Sequence, residues 1–346
     1  MTANKFLSGV APLLTSKTIR FFLLGIAALA VLATIIYQTD SDARARALAD
    51  ADHALTLRAE WHAAALDRVL QQRMVNVFTF AALPSLRGFA ASDENARLAR
   101  APVARTELHA IVDADPNLRA ASIVDAKGRV ILTTDASMLA DWSARRFVRE
   151  ALAGRLHASE PARDFGEISQ YYTAPILDNA GNVAGALVLR VAVQELWEAL
   201  GTQPNVLLVD ENGVRIADQT NQPQVFVALA PLAPDVAARA LAEQRYGTEV
   251  TQIRATNLVA LADEISRGRA TPLVYRDANG HAIHAATRRL VTNLWTVIVF
   301  ESEDALLAGT RNMLGEMIKV AAIAVIVAFV LALVMQYIFH PWQRAQ

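Results

Sequence analysis

Residues 124–135, VDAKGRVILTTD, return as VDENGVRIADQT at residues 209–220. Each copy sets Asp-x-x-Gly between apolar runs, and the same spacing recurs at Asp178-Asn-Ala-Gly181 and Asp277-Ala-Asn-Gly280. An Asp side chain can accept from the backbone two residues on, and Gly supplies the positive φ that closes a tight turn, so all four read as hairpin turns. Their flanks fit strands: Ala121 to Val124, Val130 to Thr134, Val183 to Val193, Asn205 to Val209, Ala282 to Leu290 and Trp295 to Phe300. The turns fall into two sets, Asp125 with Asp178 and Asp210 with Asp277, each set led by a Val-Asp-x-x-Gly copy. This ordering implies two related α+β modules in tandem, at 117–200 and 201–310.

Upstream, Ser41 to Leu83 contains neither Pro nor Gly, and Leu48, Leu55, Leu66, Leu70 and Val77 recur at spacings of 7, 11, 4 and 7. That pattern predicts a long amphipathic helix, about 64 Å if continuous, which would serve as a packed scaffold or as a membrane-proximal stalk. Pro84 ends or kinks it, and shorter helical pieces complete a scaffold region over 41–116.

Two apolar stretches enclose these parts. Phe21 to Tyr37 carries no charge, and Val320 to Phe339 has Gln336 as its one strongly polar side chain. Both are long enough to read as membrane helices. A cleaved signal peptide is the alternative for the first, but its apolar run is long and Ala43-Arg44-Ala45 lies beyond a polar break, so an uncleaved anchor fits better. Lys5, Lys17 and Arg20 favour a cytoplasmic segment 1–20. With both ends inside, 38–319 is extracytoplasmic, and residues 340–346 read as the start of a cytoplasmic linker.

Composition agrees with a membrane assignment: 53% of residues are hydrophobic, and 33 basic against 34 acidic residues leave a net charge of −1, with no basic run that would suit nucleic acid. There is no cysteine, hence no disulfide, thiolate metal site or thiol nucleophile. No Gly-rich phosphate loop, nucleophile elbow or kinase or cyclase signature occurs, so no catalytic residue and no cofactor is expected. His281 and His284 form the one close histidine pair. On a strand they point to opposite faces, which makes a poor metal site.

The order of a membrane helix, a long scaffold helix, two PAS-like sheet modules and a second membrane helix resembles the double Cache family of extracytoplasmic sensors. Carrying the resemblance are Ser143-Ala-Arg-Arg-Phe147 through Gly154, Tyr171-Tyr172-Thr-Ala-Pro175-Ile, Asp178 to Gly181, and Leu294-Trp295-Thr-Val-Ile-Val. Within the family the sequence looks most like the sensor half of C4-dicarboxylate sensor histidine kinases, on Tyr171-Tyr172, Gln244-Arg-Tyr246-Gly247 and Arg190. The amino-acid-binding branch would place Tyr, Arg, Trp, Tyr and Ala at 140, 145, 147, 148 and 151; here stand Ala140, Arg145, Phe147, Val148 and Ala151. The resemblance implies a bacterial inner-membrane, multi-pass protein with 38–319 in the periplasm. It also implies a homodimer in contact with membrane lipid and a cytoplasmic output domain or partner.

The candidate ligand site falls in the first module. Arg145 and Arg190 could each meet one carboxylate of a small organic acid through paired N–H···O bonds. Alternatively Arg145 is a solvated helix residue, and Arg190 answers an internal acid such as Asp164 or Asp178. Tyr171 and Thr173 share one strand face and Tyr172 and Ala174 the other, and the first pair is assigned to the ligand. Trp142 and Phe147 are placed as pocket walls or as core, and Asp178 or Asp164 as acceptors for an ammonium group. The resulting expectation is a non-enzymatic receptor module for a small carboxylate-bearing ligand that signals to a histidine kinase, chemoreceptor or diguanylate cyclase. Its rival is a membrane-anchored periplasmic protein that regulates a partner without a small ligand.

Overall fold

The computed structural model of the chain describes residues 16–201, 203–219, 224–268, 272–277 and 279–339. Helix α1, Ser16–Ala81, is continuous, so the polar residues between the first apolar stretch and the scaffold do not interrupt its backbone. No Gly or Pro occurs between Gly25 and Pro84, and Ala, Leu and Arg dominate, which removes every strong helix breaker. Pro84 then sits in the first turn of α2 (Pro84–Ala90), where a missing N–H costs nothing. Asp93 caps α3 (Glu94–Asp113) by accepting from the Ala96 amide.

Among the described residues no helix is long and apolar enough to cross a membrane. The stretches 21–37 and 320–339 both run into residues whose side chains lie outside the described set, and 1–15 and 340–346 lie outside it entirely. The expectations for the two spans therefore fall partly beyond the described residues.

Packing divides the chain into two compact units. One is Asp52–Ser302; the other comprises, among the described residues, 16–51 of α1 together with α8 (Glu303–Leu306) and α9 (Ala308–Phe339). Within Asp52–Ser302 lie two antiparallel sheets. The first is built from β1 (Leu118–Asp125), β2 (Val130–Thr133), β3 (His157–Ala158), β4 (Ala162–Asp164), β5 (Glu167–Leu177) and β6 (Val183–Ala192), in the order β2-β1-β6-β5-β3 with β4 also paired to β5. Helix α4 (Arg146–Leu152) covers one face of it, and α5 (Gln194–Ala199) follows it. The second contains β7 (Val206–Val209), β8 (Arg215–Asp218), β9 (Leu273–Arg276), β10 (Ala282–Arg289) and β11 (Thr296–Ser302), in the order β8-β7-β11-β10-β9, with α6 (Pro234–Ala242) and α7 (Val259–Ser266) inserted between β8 and β9. The two orders trace the same path, so the tandem repeat read from the sequence is a repeat of topology.

All four Asp-x-x-Gly turns form. Asp125, Asp178, Asp210 and Asp277 each accept from the amides two and four residues on. Their glycines have φ of +82°, +86°, +73° and +84°, the left-handed conformation for which Gly carries no Cβ penalty.

One core serves both sheets. Leu66, Leu70 and Val77 of α1, Leu86 and Phe89 of α2 and Leu108 of α3 pack with Ile123, Tyr172, Leu187 and Leu189 of the first sheet and with Leu208, Val297 and Val299 of the second. Each fully buried Leu, Val or Phe contributes about 1.5 to 3 kcal/mol relative to exposure, which explains why the two modules pack as one unit. Arg73 fixes α1 within it: the guanidinium donates to both carboxylate oxygens of Glu195 at 2.7 and 2.9 Å, and also to Asp115.

Candidate functional site

The opposite face of the first sheet, under α4, is where the sequence-derived residues converge. Alternation along β5 sends Tyr172, Ala174 and Ile176 into the scaffold core and Tyr171 toward α4, among Ala120, Val124, Ala186 and Val188. These small residues leave room for rings. Phe147 stacks on Tyr171 with centroids 4.7 Å apart and planes 8° from parallel, and Trp142 meets both edge-on at 6.0 and 6.1 Å. Thr173 lies on the same face, its hydroxyl 3.0 Å from the carbonyl of Phe147 and 3.3 Å from that of His157, so it ties α4 and β3 to β5.

Arg145 immediately precedes α4 and is 4% exposed. Its two terminal nitrogens donate at 3.0 Å to the two oxygens of Asp164, which is itself fully buried at the end of β4. A further bond runs from Arg145 to the carbonyl of Gln244 at 3.3 Å, while the Arg145 Nε is buried without a partner. Asp164 also accepts from the Tyr171 hydroxyl at 3.0 Å, and from the amide and hydroxyl of Thr248 at 2.7 and 2.9 Å. Burial alone would raise the Asp164 carboxyl. The Arg145 hydrogen bonds and charge, helped by Thr248, more than offset burial and hold it below the ordinary carboxylate range. Burial and the Asp164 charge together push the Tyr171 hydroxyl well up, so it stays a donor.

Arg190 stands on β6 directly opposite Tyr171 and is 3% exposed. It donates to the Ser169 hydroxyl at 3.1 Å, to the Asp164 carbonyl at 3.3 Å and to Glu167 at 2.8 Å, with Asp135 at 3.7 Å. Its guanidinium carbon lies 4.9 Å from the centre of the Phe165 ring. Phe165 has a φ of +56°, an uncommon conformation for an aromatic residue, in the tight turn with Gly166 between β4 and β5. That turn carries Asp164 and Glu167 to the two arginines at once.

Trp142, Arg145, Phe147, Tyr171, Thr173 and Arg190 are thus brought to one face. Asp178 is not: it starts the β5–β6 turn at the far end of β5, and its carboxylate is taken by the amides of Asn182 and Ala180 and by the Asn182 side chain. Those turn bonds, the Asn182 amide first among them, hold its carboxyl low. Of the two acids named for Arg190, Asp164 supplies only its backbone carbonyl, because its carboxylate belongs to Arg145. The sequence reading missed Thr248, Gln244, Ser169 and Glu167 as neighbours of the arginines. Gln244 and Thr248 reach the site from the second module at separations of 99 and 84 residues, for which no local pattern exists. His281 bonds Asp277 in its own turn, while His284 is buried against Asp52 of α1, so the two serve different surroundings. Among the described residues no group of three His, Asp or Glu side chains is placed to hold a metal.

No family model matches the chain, and no curated protein does. Solved structures do. The sensory domain of the Campylobacter jejuni chemoreceptor Tlp3 (CcmL) is similar at a TM-score of 0.54 and 13% identity, over 76% of this chain and 98% of that one. The ligand-binding domain of the same receptor in complex with L-norvaline is similar at 0.51 and 16%, over 75% and 94%. The sensor domain of the V. cholerae histidine kinase DctB is found at 0.49 and 13%, over 79% and 98%. The chain shares the fold of the two Tlp3 domains, which agrees with the tandem-module fold expected from its sequence.

Proposed function

We propose that the chain is the sensing part of a transmembrane receptor that binds a small carboxylate-bearing ligand on the α4 face of its first module. The observation that carries this is the buried Arg145–Asp164 pair, with Arg145 over the Phe147 ring, Asp164 bonded to Tyr171 and Trp142 packed edge-on to both rings. Burying an ion pair is costly and rarely adds stability over an apolar replacement, so its retention calls for a role other than folding. An arginine offers a carboxylate two parallel bonds, and the unpartnered Arg145 Nε is a further donor for an incoming oxygen. Asp164, beside it, would take an ammonium group. Either ligand must displace bonds already made: a ligand carrying both charges displaces those of the Arg145–Asp164 pair alone, whereas a diacid must also displace Ser169 and Glu167 from Arg190. The L-norvaline complex of the similar Tlp3 domain supports this preference.

The apolar stretches at 21–37 and 320–339 are read as the two membrane helices. Ile26, Leu29, Val31 and Ile35 of α1 and Val320, Ile323, Ile326, Val327, Val330 and Leu331 of α9 are all exposed, which is unfavourable in water and favourable in lipid. The ligand would act by its different affinity for two arrangements of the sensor, displacing α9 and with it a cytoplasmic kinase, chemoreceptor or cyclase output.

The test is a thermal-shift screen of the detergent-solubilised chain against amino acids, amines and mono- and dicarboxylic acids, with hits measured by calorimetry in the wild type and in Arg145→Lys. A ligand at 100 times its Kd stabilises the fold by about 2.7 kcal/mol, a visible shift. A zwitterionic hit weakened by Arg145→Lys upholds the reading. A panel without hits overturns it in favour of a protein partner.

A further inference from the structure

The residues after α6 belong to the second module by sequence, yet their polar groups engage the first. Arg163 of β4 donates its amide to the Tyr246 carbonyl at 2.8 Å and accepts from the Glu249 amide at 3.3 Å; the Glu249 carboxylate accepts from the Gly166 amide at 2.8 Å. Glu243 accepts from Arg149 of α4 at 2.7 Å. Segment 243–249 thus lies along β4 and meets both sides of the candidate site. Its approach is as close as a backbone allows: Gly247 has φ +97°, and a Cβ there would sit 2.1 Å from the Arg163 carbonyl oxygen.

The same segment is anchored at its other side in the second module. The Tyr246 hydroxyl donates at 2.5 Å to Asp210, the buried acid that opens the β7–β8 turn, and Arg245 pairs at 2.7 Å with Glu211 of that turn. Hydrogen bonds link Arg145 to Asp164 and Asp164 to Thr248, the backbone carries the connection through Gly247 to Tyr246, and the Tyr246 hydroxyl completes it to Asp210.

We propose that Thr248 is a positioning residue of the first module's site supplied by the second module, so that the state of Asp164 and the closure of the seam between modules are one equilibrium. The proposal rests on the receptor reading for its physiological meaning, but the coupling itself is a property of the ligand-free chain. With Arg145 in place, Asp164 is held ionised and grips both donors of Thr248. A ligand carboxylate on Arg145, or an ammonium on Asp164, must redistribute those bonds, and the β7–β8 turn, tied to the same segment through Tyr246 and Arg245, is the element that then moves.

The experiment is hydrogen exchange on the full chain, read over 243–249 and over 209–214, in the wild type, Asp164→Asn, Thr248→Val and Thr248→Ser. A hydrogen bond to a charged group is strong enough that its loss should speed local exchange about tenfold or more. We expect that acceleration in both peptides for Asp164→Asn and Thr248→Val, and near-wild-type exchange for Thr248→Ser, which keeps the hydroxyl. Acceleration confined to 243–249, or no change in either peptide, overturns the coupling. L-norvaline serves as the probe in a second arm. Failure of the probe to bind the wild type counts against the receptor reading for that ligand class, while the variant data decide the coupling independently.

Discussion

The two sheets can be compared position by position, because their registers align on the Asp125 and Asp210 turns. Arg190 of β6 pairs with Tyr171 of β5, and at the matching places Phe300 of β11 pairs with Ala285 of β10. Thr173 has its match in Thr287. In the second module this face packs Leu207, Val209, Leu229, Leu261, Ala285 and Ile298, an apolar set. In the first it holds two buried arginines, a buried aspartate and a tyrosine. The second module has a buried arginine of its own, Arg215, but on β8, at the place that matches Val130. On this face the topology therefore closes at its central strands without buried charge, so the charges of the first module's face are an addition to the fold and not a condition of it.

Removing the addition should be costly in one module only. Asp164→Ala leaves the Arg145 guanidinium buried without its counter-ion, and is expected to destabilise the chain by about 3 to 5 kcal/mol in a denaturant melt. A loss below about 1 kcal/mol would mean that Arg145 finds water, and that the pair is not the buried network described.

The modules meet at a seam that answers to pH differently from the first module's site. Glu160, between β3 and β4, is buried with Arg146 at 3.7 Å and Arg245 at 3.9 Å, both of which bond Glu211 instead. Burial pushes its carboxyl from 4.5 up to about 7, opposed by Arg245 and Arg146 and reinforced by Asp210. The folded chain holds this proton more tightly than the unfolded one, so the stability it contributes is full below pH 4.5 and is lost as pH rises through about 7. Asp164 runs the other way, its contribution being lost as the solution is acidified through its lowered folded value. Glu160→Gln should therefore be more stable than the wild type at pH 8, by on the order of 3 kcal/mol, with the gap closing toward pH 5 in a series of melts. A constant gap across that range would rule out Glu160 as the titrating group.

Gly247 and Gly213 make a smaller, sharper test. Both have positive φ, but a Cβ at Gly213 meets nothing within 4 Å whereas at Gly247 it meets backbone. Gly247→Ala should cost about 2 to 3 kcal/mol and Gly213→Ala about 1 kcal/mol. Equal costs would show that the seam yields. The smallest effect is expected from Ile298→Val in the apolar face, about 1 kcal/mol, with no change in exchange over 243–249. A change there would contradict the separation of the two faces.

Much of this is legible from local pattern. The Asp-x-x-Gly turns fix their own geometry through bonds that span four residues or fewer, and strand alternation correctly divides Tyr171 from Tyr172. What escapes is set at long range. The β4 edge is three residues long, too short for a period-two signal, and its partner segment lies more than 80 positions away. Asp164 suits Arg190 by sequence because both lie near the same strand; the turn at Phe165 and Gly166 instead aims its carboxylate at Arg145 and leaves Glu167 for Arg190.

Arg73 gives the scaffold helix a detent. Its guanidinium is forked across Glu195 of α5 while also touching Asp115 after α3, so α1 is indexed against the first module at a single axial setting. A helix advances about 1.5 Å per residue, and a shift of even that step would carry the fork off both carboxylates together. Graded sliding of α1 is therefore disfavoured at this level, because any axial step must first break this fork as a whole.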